Sequence, residues 1–437
     1  MSVPLRCVST RGGAPAVPLG EAIAAGLAPD GGLYVPERLP ALDPAAFDPR
    51  GTLADTAAAL LAPFFAGDPL ADALPAICAE ALDFPVPLRP LAGRADARVL
   101  ELFHGPTAAF KDVGARFLAA CLRRLPRAGA RPLTILVATS GDTGAAVGAA
   151  FHGQPGVRVA ILYPDGLVSP RQAHQLGSFG GNVRALRVAG RFDDCQRMVK
   201  AALNDAGLQR AVPLSSANSI SLGRLLPQMS YYAHAALQWR HGHGGTLDFI
   251  VPTGNLGNAL ACVWARALGL PVGEIRLACN ANATLPEFFA GAGYRPREAR
   301  ATLANAMDVG APSNFERLRW TYRGDDEALR RALRADSVDD ATIRATLLRH
   351  ARERGEAFCP HTATALALLD REPPRERGAW AVVATAHPAK FESVLEPLLG
   401  RSMAVPPALA AMLERPARAE PLPATDESLK HWLEAWR

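Results

Sequence analysis

The chain has 437 residues, 49% apolar and 20% charged, an ordinary globular composition with material for two or three domains and a large core. Its formal charge of +5 is small, and no basic block alternates with aromatics, which excludes nucleic acid as an implied partner; no run of about eighteen apolar residues exists to span a membrane. The seven cysteines are scattered, odd in number and never in CxxC spacing, which excludes a disulfide framework and a metal site and points to free thiols in a reducing cytoplasm.

Taken in order, Arg6 and Arg11 are followed by no apolar stretch, so no signal peptide is expected. Residues 1–90 read as an N-terminal, mainly helical domain, with helical patterns over 53–65 and 69–82 and a turn leading to a short extended piece over 31–36. Three prolines make 83–90 a linker. From about Val99 onward, short continuous apolar runs alternate with helices: 134–138, 157–162, 183–188, 247–251, 275–279 and 380–384. Continuous runs are expected of strands buried on both faces of a mostly parallel sheet, so the fold class is α/β. The expected division is a first α/β part over 91–240 and a second over 241–437. The charged segment 324–354 reads as a solvated helical pair, and the chain from Pro406 as a surface wrap.

Lysine is nearly absent: only Lys111, Lys200, Lys390 and Lys430 stand among forty-seven basic residues. Arginine stays protonated, whereas a desolvated lysine can supply a free amine. Lys200 and Lys430 lie on polar, helix-like stretches. Lys111 lies near the end of the dense segment His104-Gly105-Pro106-Thr107-Ala108-Ala109-Phe110-Lys111-Asp112, and Lys390 lies in 386–391.

Three polar loops follow three of the buried runs, and the carboxyl ends of strands form the ligand crevice of open α/β sheets. In Gly254-Asn255-Leu256-Gly257-Asn258 the glycines allow close approach, and a helix N-terminus follows, which suits a phosphate. No lysine follows and the GxGxxG spacing is lacking, so a plain tight turn is the alternative. In 139–144, Thr139, Ser140 and Thr143 offer hydroxyls and amides for a substrate carboxylate, while Asp142 must face a hydroxyl or a cation; N-capping by Ser140 or Asp142 is the alternative. The third loop holds Thr385. A further segment, 218–224, brings Asn218, Ser219 and Arg224 together, a set suited to a second phosphate. His241 and His243 have no third ligand nearby and read as a flexible loop.

HGPTAAFKD, SGDTG, NSISLGR, GNLGN and TAHPAKF, in this order, resemble the segments of the pyridoxal-phosphate-dependent threonine synthases, within fold type II of these enzymes (tryptophan synthase β-like). Residues 9–12 and 27–36 resemble the opening of the longer bacterial and fungal subgroup. The resemblance implies pyridoxal 5'-phosphate on Lys111 as a Schiff base, flanked by Phe110, with Asp142 near the phenolic oxygen and Thr385 at the pyridine nitrogen. It implies Gly254, Asn255, Leu256, Gly257 and Asn258 around the cofactor phosphate. It also implies Thr139, Ser140 and Thr143 on the substrate carboxylate, and Asn218, Ser219, Arg224 and Lys390 on the substrate phosphate. The substrate implied is O-phospho-L-homoserine, converted with water to L-threonine and phosphate, the last step of threonine biosynthesis. A monomer or weak homodimer is expected, with a small domain closing over the pocket and Lys390 as part of the latch. Ala108 and Cys359 depart from the family's usual residues, a bulkier one and an acid. Two other readings compete: a lyase or dehydratase of the same fold giving a 2-oxo acid, and a non-catalytic phosphate-ligand binding protein. Retention of 218–224 and Lys390 favours the synthase, because a serine or threonine dehydratase has no phosphate to hold.

Overall fold

A computed structural model describes residues 4–126 and 131–436 of the chain. At the N-terminus β1 (Cys7–Ser9) and β2 (Tyr34–Pro36) form a small antiparallel pair. The helix Leu53–Phe65 opens on a capping box in which the Thr52 hydroxyl takes the Asp55 amide and the Asp55 carboxylate takes the Thr52 amide. Ala57, Leu60, Leu61 and Phe64 recur on its inner face at helical spacing, all buried. On the same face the Thr56 hydroxyl meets His234 Nδ1 at 3.0 Å, tying this segment to the helix Met229–His243.

The expected linker 83–90 runs instead into β3 (Leu88–Leu91), which forms an antiparallel hairpin with β4 (Arg94–Glu101). Arg94, Asp96, Arg98 and Glu101 interrupt the apolar residues of β4, so no continuous apolar run marks it. The apolar runs do form strands: β5 (Leu133–Ala138), β6 (Val157–Pro164) and β7 (Val183–Ala189), whose Arg184 and Arg187 are exposed; after a short β8 (Leu214–Ser216) outside those runs come β9 (Leu247–Pro252) and β10 (Val272–Cys279). The segment 324–354 contains the helices Asp326–Ala332 and Asp340–Arg354, but between them lies β11 (Arg334–Ser337), a strand with no large apolar residue. β12 (Trp380–Ala384) is wholly buried, and the C-terminal wrap contributes β13 (Glu420–Pro423). His241 and His243 lie in the last turn of Met229–His243 rather than in a loop, and the His243 ring stacks on Trp239.

Six strands form one sheet in the order β11-β10-β9-β12-β4-β3, parallel except at the β3–β4 edge. Five form a second, wholly parallel sheet in the order β13-β7-β6-β5-β8. The architecture is thus α/β, with helical connections between the parallel strands. Sheet membership crosses residue 240, since β3 and β4 join the later strands and β13 joins the earlier ones. One continuous core, including Phe64, Phe117, Tyr231, Phe249 and Trp264, joins the N-terminal helices to both sheets.

This topology positions the loops. β4, β9 and β12 are parallel neighbours, so their carboxyl ends deliver residues 102–110, 253–256 and 385–387 to one edge of the six-stranded sheet. The carboxyl end of β5, in the other sheet, delivers 139–141.

Candidate active site

Lys111 is the first residue of the helix Lys111–Arg124. The turn before it is pinned to β12 and its loop: Leu102 N–H donates to the Ala384 carbonyl (3.0 Å), Phe110 N–H to the Thr385 carbonyl (2.8 Å) and His387 N–H to the Ala108 carbonyl (3.0 Å). Ala108 holds a left-handed backbone (φ 56) and is buried, so the small residue noted at this position sits in a strained turn beside the amine. Lys111 is partly covered, and it opens onto a cavity it shares with Asp142, Arg224, His361 and Thr385. Burial and the Arg224 charge lower its pKa to about 8, against the pull of Asp142. At neutral pH such an amine loses its proton far more readily than a surface lysine.

One wall of the cavity is the turn after β9. A Cβ on Gly254 would lie 2.7 Å from Met307 Cα, so glycine is required there. Leu256 takes a left-handed backbone (φ 64) to start the helix Gly257–Ala267, whose first amides have no partner within the helix. Asn255 is braced by Ser219 Oγ (2.6 Å), by the Ser313 amide and by Asn314. Asn258 Oδ1 accepts from Tyr231 and Tyr232, while its Nδ2 is buried without a partner. Beside it Arg224 is buried; Nη1 donates to the Ala217 carbonyl (2.6 Å), Nε meets nothing, and burial lowers its pKa to about 10.

The opposite wall is the start of the helix Asp142–Phe151. The Thr139 hydroxyl, rather than Ser140 or Asp142, takes the amides of Gly141 (3.0 Å) and Gly144 (2.9 Å). Asp142 is buried and pairs with Lys390 Nζ at 2.8 Å, with Gln172 Nε2 at 3.0 Å on the same oxygen. Burial alone would raise its pKa, but Lys390 holds it below the ordinary carboxylate value. Lys390 is fully buried and also donates to the Thr107 carbonyl (2.8 Å).

Three family models match the chain: pyridoxal-phosphate-dependent enzyme over residues 86–388, threonine synthase N terminus over 6–82, and threonine synthase C-terminal over 362–432. The threonine synthase of Escherichia coli K12 is 40% identical, the alignment spanning 95% of this chain and 96% of that protein. The crystal structure of threonine synthase from Escherichia coli superposes with a TM-score of 0.90 at 37% identity, covering 99% of this chain and 100% of that one. The chain belongs to the threonine synthase family. A pyridoxal-phosphate-bound threonine synthase from Brucella melitensis (33% identical, 99% of each chain) superposes with a TM-score of 0.89. The fold is therefore type II and the cofactor pyridoxal phosphate, as the motifs imply.

The residues fit that cofactor. An amine of lowered pKa, a neutral Thr385 hydroxyl and a bare turn at a helix N-terminus line one cavity, together with three residues that carry a buried unpartnered nitrogen, Arg224, Asn258 and His361. Of the expected site residues, Phe110, Ser219 and Gly257 also line it. Asn218 does not; its Nδ2 reaches the Ala138 carbonyl only at 3.5 Å. Nor do Thr139, Ser140, Thr143 and Lys390, although Ser140 borders an adjoining cleft of about 1110 Å³ between 163–173 and 299–308. The ammonium of Lys390 is committed to Asp142 and Thr107, so the expected contact with a substrate phosphate would require breaking a buried ion pair. His361 is the site residue that motif reading misses. It is second in the helix Pro360–Leu369, capped by Cys359 where an acid is usual, and it enters the cavity through packing against residues more than fifty positions away.

Proposed function

We propose that the protein converts O-phospho-L-homoserine and water to L-threonine and inorganic phosphate. The supporting observation is that Arg224 and Asn258, which line one cavity with Lys111, each carry a buried donor without a partner, Nε and Nδ2. An uncompensated guanidinium is expensive to bury, and a phosphorylated ligand would offset that penalty with charge-assisted hydrogen bonds. Lys111 would hold the cofactor covalently, with Gly254–Asn258 around its phosphate, Thr385 at its pyridine nitrogen and Asp142 near its phenolic oxygen. Bound pyridoxal phosphate supplies an electron sink for the charge that develops on the substrate carbons.

In this reading the protein binds, orients and moves protons. The amides of Ser140, Asp142 and Thr143, which Thr139 does not take, hold the substrate carboxylate together with the Ser140 and Thr143 hydroxyls. Ser219 and Arg224 hold its phosphate, with Asn218 next to Ser219 in the chain but outside the cavity lining. Once substrate takes its place, Lys111 Nζ accepts the Cα proton and later returns one, a role its lowered pKa suits. The Asp142–Lys390 pair keeps Asp142 ionised and fixed, so Lys390 acts on the site through Asp142. The cleft bordered by Ser140 is the proposed approach for substrate. No described helix is long and apolar enough to cross a membrane; a cytoplasmic location is inferred from the seven buried free cysteines, and a monomer or weak homodimer is proposed.

The test is product analysis from O-phospho-L-homoserine. Threonine with stoichiometric phosphate is expected, and 2-oxobutyrate as the main product would replace this reading by that of a lyase.

A further inference from the structure

His361 is buried, at 3% exposure, and its ring is held from two sides. Nε2 accepts a hydrogen bond from the Ala306 amide at 3.0 Å, and the Phe391 ring packs against it with centroids 4.9 Å apart. An amide N–H can only donate, so Nε2 carries no proton and the proton of the neutral ring lies on Nδ1. Nδ1 has no partner, although a buried donor ordinarily finds one. The same ring lines the cavity that holds Lys111, Asp142 and Thr385. Burial is what chiefly opposes protonation; it overrides the pull of Asp142, Lys111 and Lys390 add to it, and the pKa falls to about 4. The imidazole is therefore a neutral donor whose direction is set before any ligand arrives.

We propose that His361 is a ligand-binding residue whose Nδ1–H donates to an anionic oxygen of the ligand filling the Lys111 cavity. This inference rests on the pyridoxal-phosphate reading of the site. The oxygen belongs either to the cofactor or to the phosphate of the substrate; both present the same acceptor chemistry. A preset donor raises affinity because little ordering remains to be done on binding. It also explains why an orphan imidazole persists against the cavity instead of being replaced by an apolar side chain.

Two substitutions separate a donor from a merely structural ring. The amide of His361→Asn can place an N–H near the position of Nδ1 and loses the contact with Ala306. The amide of His361→Gln can accept from Ala306 at the position of Nε2 and loses the donor. Full-length wild type and both variants are titrated with pyridoxal phosphate after resolution of the cofactor, and as holoenzyme with inorganic phosphate. The visible band of the wild-type holoenzyme, lost in Lys111→Ala, checks the underlying reading separately; without that band the reading itself fails, whatever His361 does. The expected result is a loss of about tenfold or more in one titration for His361→Gln, with His361→Asn within about threefold of wild type. A loss in the cofactor titration assigns the oxygen to pyridoxal phosphate, and a loss in the phosphate titration assigns it to the substrate. Thermal unfolding of the resolved proteins is expected to rank them the other way, with His361→Asn the less stable. Unchanged binding in His361→Gln, or a loss in His361→Asn as large as in His361→Gln, would overturn the proposal.

Discussion

The two walls of the cavity hold similar charges in opposite states. On the β5 side Asp142 and Lys390 neutralise each other 2.8 Å apart, with Gln172 and the Thr107 carbonyl completing the set. On the β9 side Arg224 faces no carboxylate, and Nε of Arg224 and Nδ2 of Asn258 end without partners. Both walls look like ligand-binding polar clusters in the sequence. The difference teaches that a buried polar group already satisfied is scaffold, whereas one left unsatisfied against a cavity is reserved for something that binds.

The most damaging break is at the amine between the walls. Lys111→Ala is expected to lower turnover by more than about 10⁴-fold, because covalent and proton-transfer roles vanish together. The measurement is threonine formation alongside the visible spectrum; retention of both activity and band would end the account. Folding should not suffer, since burial disfavours the charged amine and its removal relieves that penalty at neutral pH. The pKa of about 8 has its own consequence. The rate at which resolved enzyme takes up pyridoxal phosphate should rise through pH 8 as the amine deprotonates, then level off.

What the sequence disclosed and what it hid follow from the range of the interactions involved. β5, β6, β9 and β12 were legible because burial on both faces demands a continuous apolar run, and β7 and β10 because apolar residues dominate them despite outward-facing charges. β4 offers no continuous apolar run, its uncharged positions before Val99 being alanines, β11 is Arg-Ala-Asp-Ser, and β13 has two prolines, so none bears the signature of a buried strand. Local motifs also expose the Lys111 turn and the Gly254–Asn258 turn. The state of Lys390 depends on Asp142, nearly 250 positions earlier, and that of His361 on Ala306. Spacing cannot reveal such partners; only the meeting of the two sheets' carboxyl edges does.

The closed wall should fail by losing stability. Lys390→Met strands a buried carboxylate, and breaking such a pair from one side costs about 3–5 kcal/mol. Denaturant unfolding at pH 7 reads this, and the double variant Asp142→Leu/Lys390→Met should recover much of the loss. The sign with pH follows from the depressed pKa of Asp142. Its contribution is fully present above the unfolded carboxylate value near 3.8 and disappears as pH falls through its lower folded value. An unchanged acid limb in Lys390→Met would mean that Asp142 draws no net stability from its partner.

The open wall should fail the other way. Arg224→Met removes a buried cation that no carboxylate compensates, so unfolding is expected to shift by less than for Lys390→Met. Affinity for phosphate should drop by about 10–100-fold, the equivalent of about 1.4–2.7 kcal/mol of charge-assisted hydrogen bonding. Phosphate inhibition of the holoenzyme measures this. If Arg224→Met proved the less stable variant while binding phosphate normally, the contrast between the walls would be reversed.

The smallest expected effect calibrates the rest. Lys430 Nζ lies 2.7 Å from Asp205 Oδ2, as close as Lys390 is to Asp142, but both partners are substantially exposed. Water already solvates each charge there, screening weakens the attraction, and two long side chains must be ordered to form the pair. Lys430→Met should leave the unfolding midpoint unchanged within error at physiological salt, and activity untouched. A shift approaching that of Lys390→Met would show that separation alone sets the strength of these pairs. Burial would then no longer distinguish the Asp142 wall from the surface, and the case for reading the unpartnered Arg224 as reserved for ligand would fall with it.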